Sequence, residues 1–330
     1  MVMKKINKKI SILLTLLFFF PLLLGCINAP HTNTRNHETP ITILSKIPED
    51  VNETGLIGEY GNVKVAKATR GYIIYINNSR FFLNASKAYF FPWGFVVIEK
   101  TYENLTIPVY IYTRTTTTTY RRIEGSNDTI KGVEVVIKEG VENVTEVVEV
   151  TKIKAYSYNG SLLWEHKPQP PYKWRAILHY PRILFSNNSE VFFIAEIPQG
   201  IGGKSPDLPP LLRNVTQNCL YVYGERGLIQ KFVFSNLYRA TDVFLISAGN
   251  YTAFGIEIPY GDNTPHYAEV LIFQGSKIIF RKSFVRDNPS VLMDLLTGKA
   301  KVLPNGYVEF GLFEGVGVYY NGTFKYIPRE

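Results

Sequence analysis

The chain has 330 residues, which is enough for one large core or two ordinary domains. Its formal net charge is +8, but the lysines and arginines are scattered rather than clustered, so we expect no nucleic-acid partner. Only two cysteines are present, which excludes a disulfide-rich scaffold.

The first 25 residues have the features of a secretory signal. Four lysines open the chain, and residues 10–24 form an apolar run that is shorter than the roughly 20 residues of a membrane span. The run ends in "LLGC", residues 23–26. Removal of residues 1–25 takes away four lysines and no acids, so the net charge of the remaining chain falls from +8 to +4.

The ending Leu-x-Gly-Cys resembles the lipobox of prokaryotic lipoproteins. In that family the cysteine is lipidated and becomes the first mature residue, which implies that Cys26 carries the lipid. The implied location is the extracellular face of the cell membrane, to which the lipid anchors the chain. Residues 26–42 are then a flexible tether, because residues 27–40 lack any apolar period. An ordinary signal peptide and an uncleaved anchor are the alternatives.

Asn-x-Ser/Thr sequons are unusually frequent. They involve 11 of the 23 asparagines, which favours an N-glycosylated exterior. The sequons at Asn159 and Asn321 are also explained by turn chemistry, since turns favour Asn, Gly, Ser and Thr. Lipobox and sequons together resemble surface lipoproteins of archaea. The predicted glycosylation sites are Asn52, Asn77, Asn84, Asn104, Asn127, Asn143, Asn187, Asn214 and Asn250.

From residue 43 onwards, apolar runs of period two alternate with Gly, Asn and Pro, which predicts an all-β domain over residues 43–330. Five hairpins are predicted in chain order, and "YSYNGSLLWEHK" in the second contains Asn159-Gly160. Such a pair predicts a tight two-residue turn with positive backbone φ angles. The best helical candidate is the short segment 289–299.

The strands repeat as a unit. Glu-Ile-Pro-x-Gly occurs at residues 196–200 and again 61 residues later, before a hairpin in both cases. A repeated four-stranded unit favours a β-propeller of about five to seven four-stranded blades. Tandem β-sandwiches are the alternative. The five units span residues 57–84, 85–167, 172–234, 235–284 and 285–328.

The second hairpin also resembles those of quinoprotein-like and WD-like propellers. Ala155, Gly160 and Trp164 match their pattern of an aliphatic-aromatic strand, a Gly turn and a Trp. The other hairpins depart from it, because residues such as Ile229 stand near the Trp position. The resemblance therefore implies the architecture and no cofactor. We expect Trp164 to pack between neighbouring blades.

Three long connections join the second and third strands of their units: residues 100–152, 198–219 and 259–267. The first is an insertion whose Thr-rich run is predicted to be a strand. In a propeller these connections lie on one face, and long loops on a rigid scaffold are where binding usually resides. The candidate binding residues on this face are Asp262, His266 and Arg213, although turn chemistry also explains the first two.

The sequence contains no metalloprotease, nucleophile-elbow, phosphate-loop or paired-cysteine motif. We therefore predict no metal site, no cofactor and no catalytic residue. The predicted function is that of a cell-surface binding or scaffold protein, with a surface protein or a glycan as its partner. The alternative is an extracellular hydrolase of polysaccharide or peptide, with carboxylates about 5–9 Å apart at the channel mouth.

Overall fold

Twenty-three β-strands and no helix make up the described part of the chain, so the all-β prediction is confirmed. The computed structural model describes residues 43–122, 129–174, 177–198, 217–234, 240, 242–258, 266–286, 296–312 and 315–328. All of them belong to one unit, Thr42–Glu330. The predicted signal and Cys26 lie outside the described residues.

The first sheet is antiparallel, with the strand order β1-β5-β4-β3-β2. Its strands are rich in Val, Ile, Tyr and Phe, which suit a pleated, half-buried surface. Four of them follow one another as a meander, and β1 pairs with the outer edge of the last one. The strands are β1 (Leu44–Ser45), β2 (Glu53–Tyr60), β3 (Val63–Ala68), β4 (Tyr72–Ile76) and β5 (Ser79–Leu83).

The second sheet is a meander whose middle hairpin is very long. It contains β6 (Lys87–Phe91), β7 (Gly94–Arg122), β8 (Thr129–Tyr156) and β9 (Leu162–His166). The two middle strands pair without a register shift from Phe95↔Tyr156 to Arg122↔Thr129. The insertion at 100–152 is therefore a continuation of both strands, and its Thr-rich run lies in β7, as predicted. Two short strands, β10 (Tyr172–Trp174) and β11 (Ile177–His179), join the open edge of β7.

The remaining three sheets are four-stranded antiparallel meanders. The third contains β12 (Arg182–Asn187), β13 (Phe192–Ile197), β14 (Cys219–Gly224) and β15 (Gly227–Val233). The fourth contains β16 (Val243–Ala248), β17 (Tyr251–Ile258), β18 (His266–Gln274) and β19 (Lys277–Arg286). The fifth contains β20 (Leu296–Val302), β21 (Val308–Leu312), β22 (Gly315–Tyr320) and β23 (Thr323–Pro328).

Two local predictions need correction. Asn159 and Gly160 lie in a five-residue connection between the paired residues Tyr156 and Leu162, so the turn is not the predicted two-residue one. Ser157 accounts for the extra length, because its N–H and C=O bond Ser161 and Gly160 within the loop. Gly160 does have a positive φ of 86°. The helical prediction for 289–299 is wrong where the structure describes it, since Leu296 opens a strand that pairs with β21.

The apolar clusters join each sheet to the next one in sequence. One cluster links the first and second sheets, another the second and third, and two more continue to the fifth. Strand β13 shows how this works, because all of its residues are buried. Phe192 and Ile194 pack towards the second sheet, whereas Phe193 and Ala195 pack towards the fourth. Because successive side chains of a strand point to opposite faces, β13 contributes to two apolar clusters.

Candidate functional site

A pocket lies between the second and third sheets. It has a volume of about 400 Å³ and lies between β7, β8, β12 and the proline-rich connection 168–171. These elements meet because the chain leaves the second sheet at the end of β9 and crosses to β12 in the third sheet. Pockets of this size that are mostly apolar and contain a few polar groups are typical of ligand sites.

The walls of the pocket are mainly apolar, and its polar lining residues come from several elements. Lys100 and Glu149 form an ion pair across β7 and β8, with Nζ and Oε1 2.7 Å apart. The backbone N–H of Glu149 donates to the hydroxyl of Tyr180 over 3.4 Å. The site therefore offers a charged pair and a phenol beside an apolar floor. The apolar lining residues are Ile98, Leu105, Val150, Ile183, Phe185 and Pro168, Pro170, Pro171 and Pro181.

The connection 168–171 is held in place by Gln169. The Gln169 side chain bonds the backbone of Gln217 in both directions, as donor to its oxygen and as acceptor from its N–H, each over 2.8 Å. The Gln169 N–H donates to Oε2 of Glu196 over 3.2 Å. Three hydrogen bonds to the third sheet thus fix this wall, which reduces the ordering cost of binding a ligand.

Glu196 is the centre of a buried polar network behind the pocket. Its Oε1 lies 2.5 Å from Nε2 of His166, and both side chains are buried. Nδ1 of the same imidazole lies 2.6 Å from the hydroxyl of Tyr223. Each member of this network has hydrogen-bond partners, as buried polar groups require. Glu196 is 0% exposed, so the carboxylate positions the pocket wall and is not open to a ligand.

Tyr223 keeps its proton in this network. Burial, and then the negative charge of Glu196, raise the pKa of its phenol well above the ordinary value. The hydroxyl is therefore a donor at neutral pH, and it can donate to Nδ1 of His166 while Nε2 donates to Glu196. The neighbouring thiol of Cys219 is buried, and burial raises its pKa. A buried thiol of this kind packs as a small hydrophobic side chain.

The structure leaves the predicted binding residues largely untested. Asp262 and Arg213 lie outside the described residues, and so does most of the connections 198–219 and 259–267. His266 is the first residue of β18, and only its backbone is described. The strand bounds do place all three long connections between second and third strands of their sheets. Their convergence on one face stays a prediction.

Most of the predicted glycosylation sites that the structure describes are accessible. Exposed asparagines are Asn52, Asn77, Asn84, Asn104 and Asn143, whereas Asn187 and Asn250 are half-buried. The Asn250 amide is already engaged, because its Nδ2 donates to Oε1 of Glu190 over 2.9 Å. Asn127 and Asn214 lie outside the described residues. Glycosylation itself stays a prediction.

Within the described ranges, no group of three His, Cys, Asp or Glu side chains is arranged to hold a metal ion. The same ranges contain no helix that could cross a membrane.

No family model matches the chain, and no curated protein matches it either. Among solved structures, Pyrococcus horikoshii acylaminoacyl peptidase (orthorhombic crystal form) is similar at 13% sequence identity, with a TM-score of 0.23. The match covers 69% of this chain and 46% of that chain, so this chain spans less than half of that protein. A likeness this remote does not establish a shared fold or activity.

Sequence reasoning missed the pocket and the network behind it. Of its members only Glu196 was noticed, as part of the Glu-Ile-Pro-x-Gly repeat. Glu257, in the second copy of that repeat, is equally buried and accepts a hydrogen bond from the Leu296 N–H over 2.8 Å. A charged residue repeated inside an apolar strand was the available signal, because a buried carboxylate requires partners.

Proposed function

We propose that this protein is a lipid-anchored cell-surface binding protein of propeller architecture, whose ligand occupies the pocket between the second and third sheets. The observation that carries the proposal is the pocket itself: an apolar cavity of about 400 Å³ whose wall is fixed by Gln169 and Glu196. A preformed apolar pocket with a few polar groups suits the binding of a ligand.

Two features support the propeller over tandem sandwiches. In a sandwich each sheet buries one face, whereas here the second, third and fourth sheets each contribute to two apolar clusters. The first strands β12, β16 and β20 are also in contact from sheet to sheet, as the innermost strands of a propeller are. An experimental structure tests this proposal: the first and fifth sheets must pack together to close a ring.

The described residues favour binding over hydrolysis. Glycoside hydrolysis needs two carboxyl groups that flank the substrate. Glu149 is the one carboxylate among the residues that line the pocket, and it is paired with Lys100. Glu196 lies behind the wall and is fully buried. The pocket thus presents one carboxylate where the hydrolytic mechanism requires two.

The experiment is to fill the pocket. Leu105→Trp adds bulk at the apolar lining, whereas Tyr102→Trp changes a 73% exposed residue three positions away on the same strand. The full-length protein, extracted in detergent and immobilised, is screened against arrays of surface glycans and of peptides. We expect the control to bind as the wild type does and Leu105→Trp to lose at least tenfold in affinity. If a folded Leu105→Trp variant retains wild-type binding, the ligand site lies elsewhere.

The anchoring is tested separately. Cys26→Ser removes the atom that a lipid would modify, so we expect the variant to leave the membrane fraction or to remain unprocessed. Membrane fractionation and electrophoretic mobility measure both outcomes. A variant that stays wholly in the membrane with normal mobility contradicts lipidation at this residue.

A further inference from the structure

Strand β8 has a long edge that no described strand covers. Over residues 129–152 it pairs with β7 alone, because β9 begins to pair only at Ile153. Proteins usually protect such edges with charges, prolines or short strands. This edge strand carries exposed charges, such as Glu134 and Glu142, but it also exposes apolar side chains: Val133 is 56% exposed, Val141 50% and Val147 66%. Val136 and Val144 are exposed as well.

In the described structure, the outer half of the β7–β8 hairpin is only two strands wide. Residues 115–120 of β7 are all exposed, so both faces of the ribbon meet solvent. In the described structure its only partner is the facing stretch of β8, residues 131–136. A two-stranded ribbon without a third strand is marginally stable in water. A further strand along β8 would supply the missing backbone hydrogen bonds.

The sequence of β8 is complementary to itself about Gly140. When two copies run antiparallel with residue 140 opposite residue 140, Val136 faces Val144 and Val133 faces Val147. In the same register the lysine at 138 faces Glu142. By two-fold symmetry each pair occurs twice. Cross-strand valine pairs and opposite charges are the pairs that stabilise an antiparallel ladder.

We propose that two copies of this chain associate by antiparallel pairing of β8, residues 132–148, about a two-fold axis at Gly140. Asn143, a predicted glycosylation site, lies in this stretch, but side chains of a strand project from its faces and not from the edge that pairs. In this register odd-numbered residues face odd-numbered residues, and even-numbered residues face even-numbered ones. Because alternate residues of a strand point their N–H and C=O groups to the same side, the outward groups of one copy meet those of the other. The interface is isologous and closes at two subunits.

Two pairs do not favour the register. Val141 faces the glutamate at 139, so it has no apolar partner across the axis. Glu134 faces Glu146, and like charges directly opposite are destabilising. Glu146 is already ion-paired with Lys173 within its own chain, which offsets its charge. Two lysine–glutamate pairs and four valine pairs therefore outweigh two partly neutralised glutamate pairs. A partner strand with only basic side chains would bind less tightly. It would place a positive charge opposite the lysine at 138 and charged side chains opposite the paired valines at 133, 136, 144 and 147.

A charge swap tests both the association and its register. Full-length protein, extracted in detergent and produced in one host for all variants, is studied by sedimentation velocity over a range of concentrations. The wild type should form a dimer. Lys138→Glu and Glu142→Lys each place like charges opposite at two symmetric positions, so we expect the dissociation constant to rise about tenfold or more. The double variant restores opposite charges and should restore the wild-type constant.

A matched control is Lys325→Glu, which reverses an exposed lysine on the edge strand β23 and should leave the dimer unchanged. Three results overturn the proposal: a wild type that is monomeric throughout, single variants without effect, or a double variant as weak as the single ones. Circular dichroism checks that each variant is folded.

Crosslinking provides a second, independent test. Gly140→Cys places two cysteines opposite each other at the axis, where the spacing of antiparallel Cα atoms permits a disulfide. Glu134→Cys is the control: it is exposed on the same strand, but the two copies of residue 134 would lie about 40 Å apart along the pair. Oxidation should give a covalent dimer for Gly140→Cys alone. Equal crosslinking of both variants, or of neither, contradicts this register.

Discussion

Truncation of Trp164 measures how strongly the second and third sheets hold each other. Its indole is buried, stacks on Tyr223 with ring centroids 4.4 Å apart, and donates from Nε1 to the Gly224 oxygen over 2.7 Å. Replacement by Ala removes the ring and the Nε1 donor. Buried Trp→Ala changes cost about 3–5 kcal/mol of unfolding free energy. The lost hydrogen bond puts the expectation at the upper end of this range.

Replacement by Phe separates the two contributions. Trp164→Phe keeps an aromatic ring against Tyr223 but still loses the donor, so we expect a cost of about 1–3 kcal/mol. Trp93→Phe is the matched control. The Nε1 of this half-buried residue also donates to a backbone oxygen, over 3.0 Å, but that oxygen belongs to the exposed Glu190. Urea unfolding followed by far-UV circular dichroism gives the free energies. A loss under about 1 kcal/mol for Trp164→Ala would refute this account of the interface.

The other predictions concern a turn and two titrating groups. Gly160→Val should lower the unfolding free energy measured in urea by about 1–3 kcal/mol, because Gly160 has a positive φ. Gly55→Val is the control: that glycine also has no close neighbours but lacks a positive φ, so its loss should be smaller. Equal losses would exclude backbone strain as the cause. Burial lowers the pKa of His179 in the folded protein. As the pH falls, the unfolded chain therefore takes up this proton before the folded one does, and stability should fall as the pH drops through about 6.5. His179→Phe should flatten that slope in pH-dependent melting, and an unchanged slope would contradict the assignment. Burial raises the pKa of Tyr156 to about 12, so stability should fall between the unfolded pKa of about 10 and pH 12. Tyr156→Phe should reduce that alkaline loss, and a loss of the same size would show that other groups cause it.

Local sequence patterns determine much of the fold. The strand runs and turn residues locate the five four-stranded meanders, but the predicted third unit begins too early. Its residues 172–179 contain β10 and β11, which join the second sheet. Trp164 packs between two sheets, as its size suggested. These features depend on neighbours in sequence, because each meander pairs consecutive strands. The failed helix at 289–299 shows the limit, since Leu296 enters a strand whose pairing with β21 outweighs local propensity.

The candidate site could not be predicted in the same way. His166 and Glu196 meet across two sheets, and Gln169 reaches Gln217 over 48 residues of sequence. No spacing rule relates such residues, since their approach depends on how whole sheets pack. The pocket has the same origin, because its walls come from β7, β8, β12 and the connection 168–171. The unbroken length of the β7–β8 hairpin was also hidden, since Pro108 within β7 suggests a break.

The β7–β8 hairpin has a consequence for the order of folding. The pairs nearest in sequence lie at the Arg122↔Thr129 end of the hairpin, next to a run of five threonines. A shift of two residues in the strand register would keep each threonine on the same face of the ribbon, so several registers are possible there. Fully buried pairs, such as Val96↔Ala155, are among the farthest apart along the chain. Closing the base first costs roughly 2 kcal/mol more loop entropy than closing the tip. We therefore expect the tip to form early in several registers, and the buried base to select one of them late.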